Sequence, residues 1–155
     1  MTLSESSTCP LCRPASEAVI WHNAQLRVID AGDERYPGFT RVIWNDHVRE
    51  MTDLAPEQRQ ALMSAVWLVE LTQRTVLQPL KVNLAQFGNM VPHVHWHIIP
   101  RWENDPHFPD AIWATPVSRS ADQAERWARL QQTILNRLPQ YHAGLRQALS
   151  ALPPG

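Results

Sequence analysis

The stretch that decides the fold is residues 90–101, MVPHVHWHIIPR. Three apolar residues alternate here with three histidines: Val94, Trp96 and Ile98 with His93, His95 and His97. This period of two predicts a β-strand with one apolar face and one polar face. The three imidazoles are therefore expected on one face, roughly 6.6 Å apart in succession. Because neutral imidazoles carry protons and act as nucleophiles near pH 7, this face is the first candidate for chemistry.

The elements before this strand are predicted from β-prone runs, turn formers and helical spacing. Short strands are expected over 18–21, 26–30 and 39–44, with a hairpin between the first two. Pro56 suits the first position of a helix, and apolar residues then recur at helical spacing to about residue 77. Another strand is expected over 80–85. The order predicts an α+β fold in which one main helix packs on an antiparallel sheet of about five strands.

The C-terminal third is predicted to be helical. Ser120 is expected to cap a helix that runs to about residue 137, and Pro139 is expected to interrupt it before a last helical piece to about residue 151. A chain of 155 residues is long enough for one domain and short for two. We therefore expect a single domain over 1–155, with a core at about 8–117 and a helical extension at about 118–152.

The charge balance and the absence of long apolar runs exclude some classes of partner. The chain has 14 Lys and Arg against 15 Asp and Glu, so no overall positive field favours nucleic acid or an anionic membrane. No apolar run approaches the length of a membrane span, and the polar N-terminus lacks the pattern of a signal peptide. We expect a cytoplasmic protein without nucleic-acid or membrane partners.

Cys9 and Cys12 form a Cys-x-x-Cys motif near the N-terminus. In a reducing compartment this spacing indicates half of a tetrahedral zinc site or a redox pair. The metal interpretation is favoured because Pro10 lies inside the motif and no strand precedes it. A loop whose cysteines bind nothing remains an alternative.

The seven residues from His93 to Ile99 carry a resemblance to a known family. They match at every position the pattern His-φ-His-φ-His-φ-φ, where φ is apolar, and the chain resembles the histidine triad (HIT) family of nucleotide hydrolases and nucleotidyl transferases. The similarity includes Gly88-Asn89, Pro37-Gly38 and the strand order, over roughly residues 8–115. It implies a homodimer whose sheets join into one, and a purine nucleotide whose phosphate lies against the histidine strand.

The resemblance also implies roles in catalysis and phosphate binding. His95 would attack the α-phosphorus to form a nucleotidyl-histidine that water then hydrolyses, as suits a neutral imidazole. His97 would contact the phosphate oxygens together with Asn89 and the backbone N–H groups around Gly88. Asn83 resembles an amide position that contacts the phosphate or the leaving oxygen.

For the nucleoside, the resemblance implies contacts on the second strand. Asp30 would bind the ribose hydroxyls, although it is equally consistent with a loop-capping aspartate. The base would lie against Val28 and Ile29. The chain departs from the family at Phe39, where members often have a histidine.

The resemblance implies a ligand set for the metal: Cys9, Cys12, His47 and His93. Two cysteines and two histidines close a tetrahedral shell, which is typical of structural zinc. Alternatively, His47 is an ordinary polar residue at a strand end and His93 a hydrogen-bonding neighbour of the nucleophile. Mg²⁺ is considered only as a companion of a polyphosphate substrate.

The interpretation favoured by these residues is a hydrolase of nucleotide phosphoanhydride or phosphoramidate bonds, such as those of dinucleoside polyphosphates. His97 favours water as the final acceptor, because the transferase branch has glutamine there. The alternatives are a hydrolase with a metal centre built from the three histidines, and a nucleotide-binding or zinc-stabilised module without turnover. The segment 102–113 is expected to cover the site or to lie at a dimer interface. His22, His107 and His142 are expected to lie at the surface and to have no function.

Overall fold

A computed structural model describes residues 8–155 of the chain. Five strands form one antiparallel sheet in the spatial order β1-β2-β3-β5-β4. They are β1 (Ala18–His22), β2 (Leu26–Asp30), β3 (Thr40–Trp44), β4 (Lys81–Ala85) and β5 (His95–Arg101). The predicted antiparallel sheet of an α+β fold is confirmed. β5 begins at His95, so His93 lies just before the strand rather than within it.

The main helix, α1, spans Pro56–Thr72 and continues through a π-helical turn at Gln73–Leu77. Pro56 occupies its first turn, where a missing N–H costs nothing. The backbone N–H of Ala55 donates to Oε1 of Gln58 at 2.8 Å, which fixes the start of the helix. Pro79 follows the left-handed Gln78 and prevents further helix. The predicted helix over about 56–77 is confirmed.

The second helix, α2, spans Ala121–Leu149 without a break, so the predicted interruption at Pro139 is wrong. A proline inside a helix removes one backbone hydrogen bond. Here the residues after it, Tyr141, Leu145 and Leu149, recur every four positions and are fully buried. Packing against the sheet and α1 therefore outweighs the lost hydrogen bond. The predicted Ser120 cap is confirmed, since its Oγ accepts from the N–H of Gln123 at 3.2 Å.

The two faces of the sheet differ in composition. Val28, Val42 and Ile98 belong to the main core, together with buried residues of α1 and α2. The neighbouring positions Ile29, Arg41 and His97 pair across β2, β3 and β5 in one row, and strand alternation directs them to the opposite face. We call this side, with Ile29, Arg41, Ile43, His95 and His97, the histidine face.

The loop before β3 is held closely against α1. Gly38 has a φ of 89°, and a Cβ there would lie 2.5 Å from Cδ1 of Leu77. Glycine adopts this positive φ without strain, and a larger residue would also require the Leu77 side chain to move. Nε2 of Gln73 donates to the backbone oxygens of Gly38 and Ile98 at 3.0 and 2.9 Å, which links α1 to β3 and β5.

Neither described helix is long and apolar enough to serve as a membrane span, a finding limited to residues 8–155.

Candidate functional site

One ring nitrogen of His95 forms a hydrogen bond, and the other has no hydrogen-bond partner among residues 8–155. Its Nδ1 lies 2.6 Å from the backbone oxygen of His93. A carbonyl oxygen can only accept, so Nδ1 carries the proton and Nε2 carries the lone pair. Burial lowers the pKa of His95, which keeps the ring neutral near pH 7. The local backbone therefore provides an oriented, neutral imidazole whose Nε2 is available for attack on an electrophile.

His97 lies in an aromatic environment. Its ring centroid is 4.9 Å from that of His95, 5.3 Å from Trp113 and 5.7 Å from Phe39. Nδ1 of His97 is buried and has no hydrogen-bond partner among residues 8–155. Burial, with smaller contributions from the charges of His95 and Arg41, lowers the pKa of His97 to about 3. His97 is therefore a neutral group that can donate or accept one hydrogen bond, not a cation.

A cavity of about 380 Å³ opens in front of the two histidines. Its wall is formed by His95, His97, Trp113 and residues 87–91. Gly88 has a φ of 93°, a backbone conformation that glycine adopts without strain. Asn89 lines the same cavity, so the structure brings it together with His95 and His97 as predicted from the sequence. The cavity combines aromatic walls with amide and imidazole groups, as small-molecule sites do.

Asn83 lines a neighbouring cavity, which shares Phe87 and Trp113 with the first one. Its Oδ1 accepts a hydrogen bond from Nη1 of Arg101 at 2.7 Å. Since the amide oxygen is engaged, the Nδ2 group is the part of Asn83 left to donate to a ligand. Asn83 therefore lies beside the histidine cavity but does not line it.

The segment after β5 covers the site from the same chain. Asp105 is fully buried and accepts hydrogen bonds from Arg101, from the hydroxyl of Tyr36 and from the backbone N–H groups of Trp102, His107 and Phe108. This network holds the segment 102–113 so that Trp113 lies against His97. Of the two alternatives for this segment, covering the site is the one that the geometry supports.

The structure corrects one of the three predicted nucleoside contacts, Val28, and shows other contacts for a second, Asp30. Val28 is completely buried in the core under the helices, so no face of it is available to a base. Oδ2 of Asp30 lies 3.3 Å from Nε2 of His142 on α2, and its Oδ1 accepts from the N–H of Gly32 at 2.7 Å. The contact with His142 lowers the pKa of Asp30. Asp30 therefore caps its loop and lies close to α2, while its contact with the ribose stays a prediction.

The four predicted metal ligands come together. Ligand atoms of Cys9, Cys12, His47 and His93 all lie within 4.8 Å of one another. Sγ of Cys12 is 3.2 Å from Nδ1 of His47 and 3.5 Å from Nδ1 of His93, and Sγ of Cys9 is also 3.5 Å from Nδ1 of His93. Tetrahedral zinc with the usual bond lengths separates sulfur and nitrogen ligands by about 3.6 Å. The cluster therefore has the size and donor set to hold a metal such as zinc.

The surroundings of the cluster also suit a metal. Nε2 of His93 lies 2.5 Å from the backbone oxygen of Trp44, so Nε2 carries the proton and Nδ1 presents its lone pair to the cysteines. Burial raises the pKa of the Cys12 thiol to about 11, which means that the thiolate is destabilised in the absence of a metal. A bound cation would stabilise the thiolate and lower this pKa.

Sequence reasoning missed several residues around the site. Arg41 lies beside His97 on the histidine face. The one feature of the sequence that could have indicated it is a charged residue inside an otherwise apolar strand. Tyr36 and Arg101 are fully buried beside the segment that covers the site. His107 is also buried, with Nδ1 2.6 Å from the hydroxyl of Tyr36. The expectation of a surface position is therefore wrong for His107, whereas His142 is partly exposed on α2 and lies close to Asp30.

Comparisons with known proteins support the family suggested by the motif. A family model described as the HIT domain matches residues 13–104, more than half of the chain. A histidine triad protein from Marinobacter aquaeolei is 27% identical, with 79% of this chain and 92% of that chain covered and a TM-score of 0.59. One from Bradyrhizobium japonicum is 24% identical, with 76% and 89% covered and the same TM-score.

A HIT family protein from Bacillus subtilis shares the fold, with 21% identity, 84% and 96% of the chains covered and a TM-score of 0.59. The comparison with curated proteins found no match. The family model covers all five strands, α1 and the histidine motif, which are the elements that build the site. The chain therefore belongs to the HIT domain family.

Proposed function

We propose that this chain hydrolyses a phosphoanhydride or phosphoramidate bond of a nucleotide through a nucleotidyl intermediate on His95. HIT family proteins bind nucleotides and are in general nucleotide hydrolases or transferases, although some are not catalytic. The observation that carries the proposal is the orientation of His95, whose Nδ1 donates to the carbonyl of His93 while Nε2 remains free.

In the first step, Nε2 of His95 attacks the α-phosphorus and forms a P–N bond. The bond between phosphorus and the leaving group breaks, and the leaving group departs with the electron pair; a departing amine also takes up a proton. The imidazole gains positive charge, which strengthens the hydrogen bond from Nδ1 to the oxygen of His93. In the second step, water attacks the phosphorus, the electron pair returns to Nε2 and a proton is released.

The proposal assigns phosphate binding to groups that border the cavity. His97 and Asn89 line it beside His95, and the backbone around Gly88 forms its rim. Asn83 has its Oδ1 bound to Arg101, which leaves its N–H groups to donate to a phosphate or leaving oxygen. Such donors stabilise the charge that develops on the phosphoryl oxygens. Ile29 is the remaining candidate for contact with the base.

We also propose that Cys9, Cys12, His47 and His93 hold structural zinc. Four protein ligands leave no position for substrate, so the ion would stabilise the loop and not activate water. Because the carbonyl of His93 orients His95, fixing the ring of His93 also fixes the hydrogen bond that orients the nucleophile. Mg²⁺ accompanying a polyphosphate substrate stays a prediction.

Mass spectrometry of the intact protein tests the covalent step. The protein is mixed with diadenosine polyphosphate or adenosine phosphoramidate, quenched with acid and digested, with His97→Ala included to slow the second step. An adduct of one nucleotidyl group on His95 is expected. Absence of both adduct and nucleotide product would contradict the proposal.

A module that binds nucleotide without turnover is the second candidate. Phe39 favours it, because this ring packs at 5.7 Å from His97 and supplies no partner for the buried Nδ1. Equal product release by wild type and His95→Asn, both at buffer background, would favour this candidate. A metal centre made of the three histidines has less support: among residues 8–155, the donor group with metal-like spacing includes His93 but neither His95 nor His97.

A homodimer joined along β4 is part of the proposal. β4 is an edge strand, and three large apolar side chains are about half exposed: Leu80, which directly precedes β4, and Trp67 and Leu71 on α1. Exposed edges and apolar patches of this kind are typical of interfaces. Light scattering of wild type and Trp67→Glu tests this point, with a dimer expected for the former and a monomer for the latter; a wild-type monomer would contradict it.

We further propose one domain, because α2 buries its apolar residues in the same core as α1. The cytoplasmic location stays a prediction, to be tested by fractionating cells that express the chain.

A further inference from the structure

The histidine face carries a cation that the proposed mechanism does not use. Arg41 lies on β3 directly opposite His97 on β5 and Ile29 on β2. Its neighbour Val42 points into the core, so the side chain of Arg41 lies on the face of the two histidines. The charge of Arg41 contributes to lowering the pKa of both His95 and His97, as expected for a guanidinium close to them.

The charge of Arg41 has no counterpart within the described chain. Its Nε is buried without a hydrogen-bond partner, and no carboxylate among residues 8–155 forms an ion pair with it. The acidic residues whose charge reaches it are bound to other arginines. Glu17 accepts from Arg27 at 2.7 and 2.9 Å, and Asp33 accepts from Arg35 at 3.0 Å.

Packing alone does not explain an arginine at this position. The guanidinium lies 5.3 Å from the ring centroid of Phe39, a cation–π contact that fixes its direction. Burial still lowers the pKa of Arg41, which means that the charged form is destabilised. An apolar side chain would cover the sheet without the cost of leaving a buried N–H group unsatisfied. An anionic ligand on the histidine face would offset this cost.

We infer that Arg41 binds a phosphate group of the substrate and selects for anionic ligands. The inference rests on the proposed function, because it takes the histidine face as the place where the nucleotide phosphates lie. Asn89 and Gly88 line the cavity on the β4 side of His95 and His97, whereas Arg41 lies on the β2 side. A phosphate chain that crosses the two histidines therefore meets amides at one side and a guanidinium at the other. Arginine suits this role because its planar fork binds phosphate oxygens in pairs.

The test is a set of equilibrium binding measurements that does not depend on turnover. Adenosine, AMP and ADP are titrated against His95→Asn, and against the same protein carrying Arg41→Leu, Arg41→Gln or Arg41→Lys. Arg129→Gln serves as the control for loss of one positive charge, since Arg129 is an exposed residue of α2. Circular dichroism and metal content show whether each variant retains the fold.

We expect Arg41→Leu and Arg41→Gln to weaken AMP or ADP binding by about 10- to 100-fold, the range for losing a charge-assisted hydrogen bond. Adenosine should bind within twofold of the parent, Arg41→Lys should recover part of the affinity, and Arg129→Gln should match the parent. The salt dependence of ADP binding should decrease in Arg41→Leu.

An equal loss of affinity for adenosine would overturn the inference, because Arg41 would then contact the base or support the fold. Unchanged affinity for all three ligands would also overturn it. Failure of the proposed function would be seen in a different experiment. Mass spectrometry would then find no nucleotidyl adduct on His95 in the wild type, independently of how the Arg41 variants bind.

Discussion

Two regions of the same short stretch use histidine in opposite ways. In the Cys/His cluster, His93 directs Nε2 to the carbonyl of Trp44 and Nδ1 to two cysteines, so both nitrogens have partners. Two residues later, His95 uses only Nδ1 and leaves Nε2 free. All three histidines of the motif are buried. The difference teaches that the number of engaged ring nitrogens, and not burial, distinguishes His93 from the proposed nucleophile His95.

The largest expected effect comes from removing the reactive nitrogen. His95→Asn should lower kcat by at least about a thousandfold, because removing a nucleophile typically has this effect. Metal content and melting temperature should stay close to wild type, since His95 lies outside the Cys/His cluster. Steady-state kinetics and elemental analysis measure both quantities. The same substitution at the exposed His22 should change neither, and loss of metal in His95→Asn would contradict the separation of the two regions.

Removing a ligand from the Cys/His cluster should reduce the stability of the fold before it affects activity. Cys12→Ser removes one of the four ligands and should lower metal content and reduce the free energy of unfolding by roughly 4 kcal/mol, since structural zinc contributes directly to folding. Activity should fall as a consequence, because the carbonyl of His93 orients His95. Elemental analysis and denaturant unfolding with and without chelator measure the effect. A variant with full metal content, or a wild type indifferent to chelator, would contradict the proposed site.

The depressed pKa of His97 predicts how stability depends on pH. Its pKa is about 3 in the folded chain against about 6.5 in the unfolded chain. Between these values the unfolded state binds more protons, so stability falls as pH decreases from 6.5 to 3, by up to roughly 4 kcal/mol. His97→Gln should remove this part of the dependence. Urea unfolding of both proteins across this pH range makes the comparison, and identical slopes would show that His97 does not titrate as described.

The smallest expected effect concerns the missing partner of His97. Phe39→His offers a polar group near the buried Nδ1 and should raise the pKa of His97 towards its ordinary value. We expect kcat to change by less than about tenfold, because the attacking nitrogen belongs to His95. NMR titration and kinetics measure the two effects. Phe39→Leu removes the ring without adding a partner, and an equal pKa change in that variant would assign the effect to burial alone.

The sequence was sufficient to predict the sheet and α1, because each rests on a local pattern. The alternation from Val94 to Ile98 predicts β5, and helical spacing predicts α1. The resemblance supplied a ligand set that the structure brings within 4.8 Å. Roles in catalysis and phosphate binding stay predictions for His95, His97, Asn89 and Asn83.

The errors and the missed contacts arise where tertiary structure decides. Val28 and Ile29 are both apolar, so composition does not show which one faces the helices, although adjacent strand residues cannot share a face. Asp30 turns to His142, which is more than a hundred residues away in sequence. The helix continues through Pro139 because later residues are buried. Arg41 escaped notice because its lack of a partner is visible only when the neighbouring carboxylates are seen to be bound by other arginines.

The segment after β5 is anchored at both ends, which bears on how a ligand would reach the histidines. Asp105 fixes its beginning, and Arg119 donates to the backbone oxygens of Asp105 and Phe108 from its far end. Trp113 is thus part of a wall held on both sides, not a hinged flap. The cavity beside His95 and His97 is thus open before any ligand binds, so the proposed reaction does not require this segment to move.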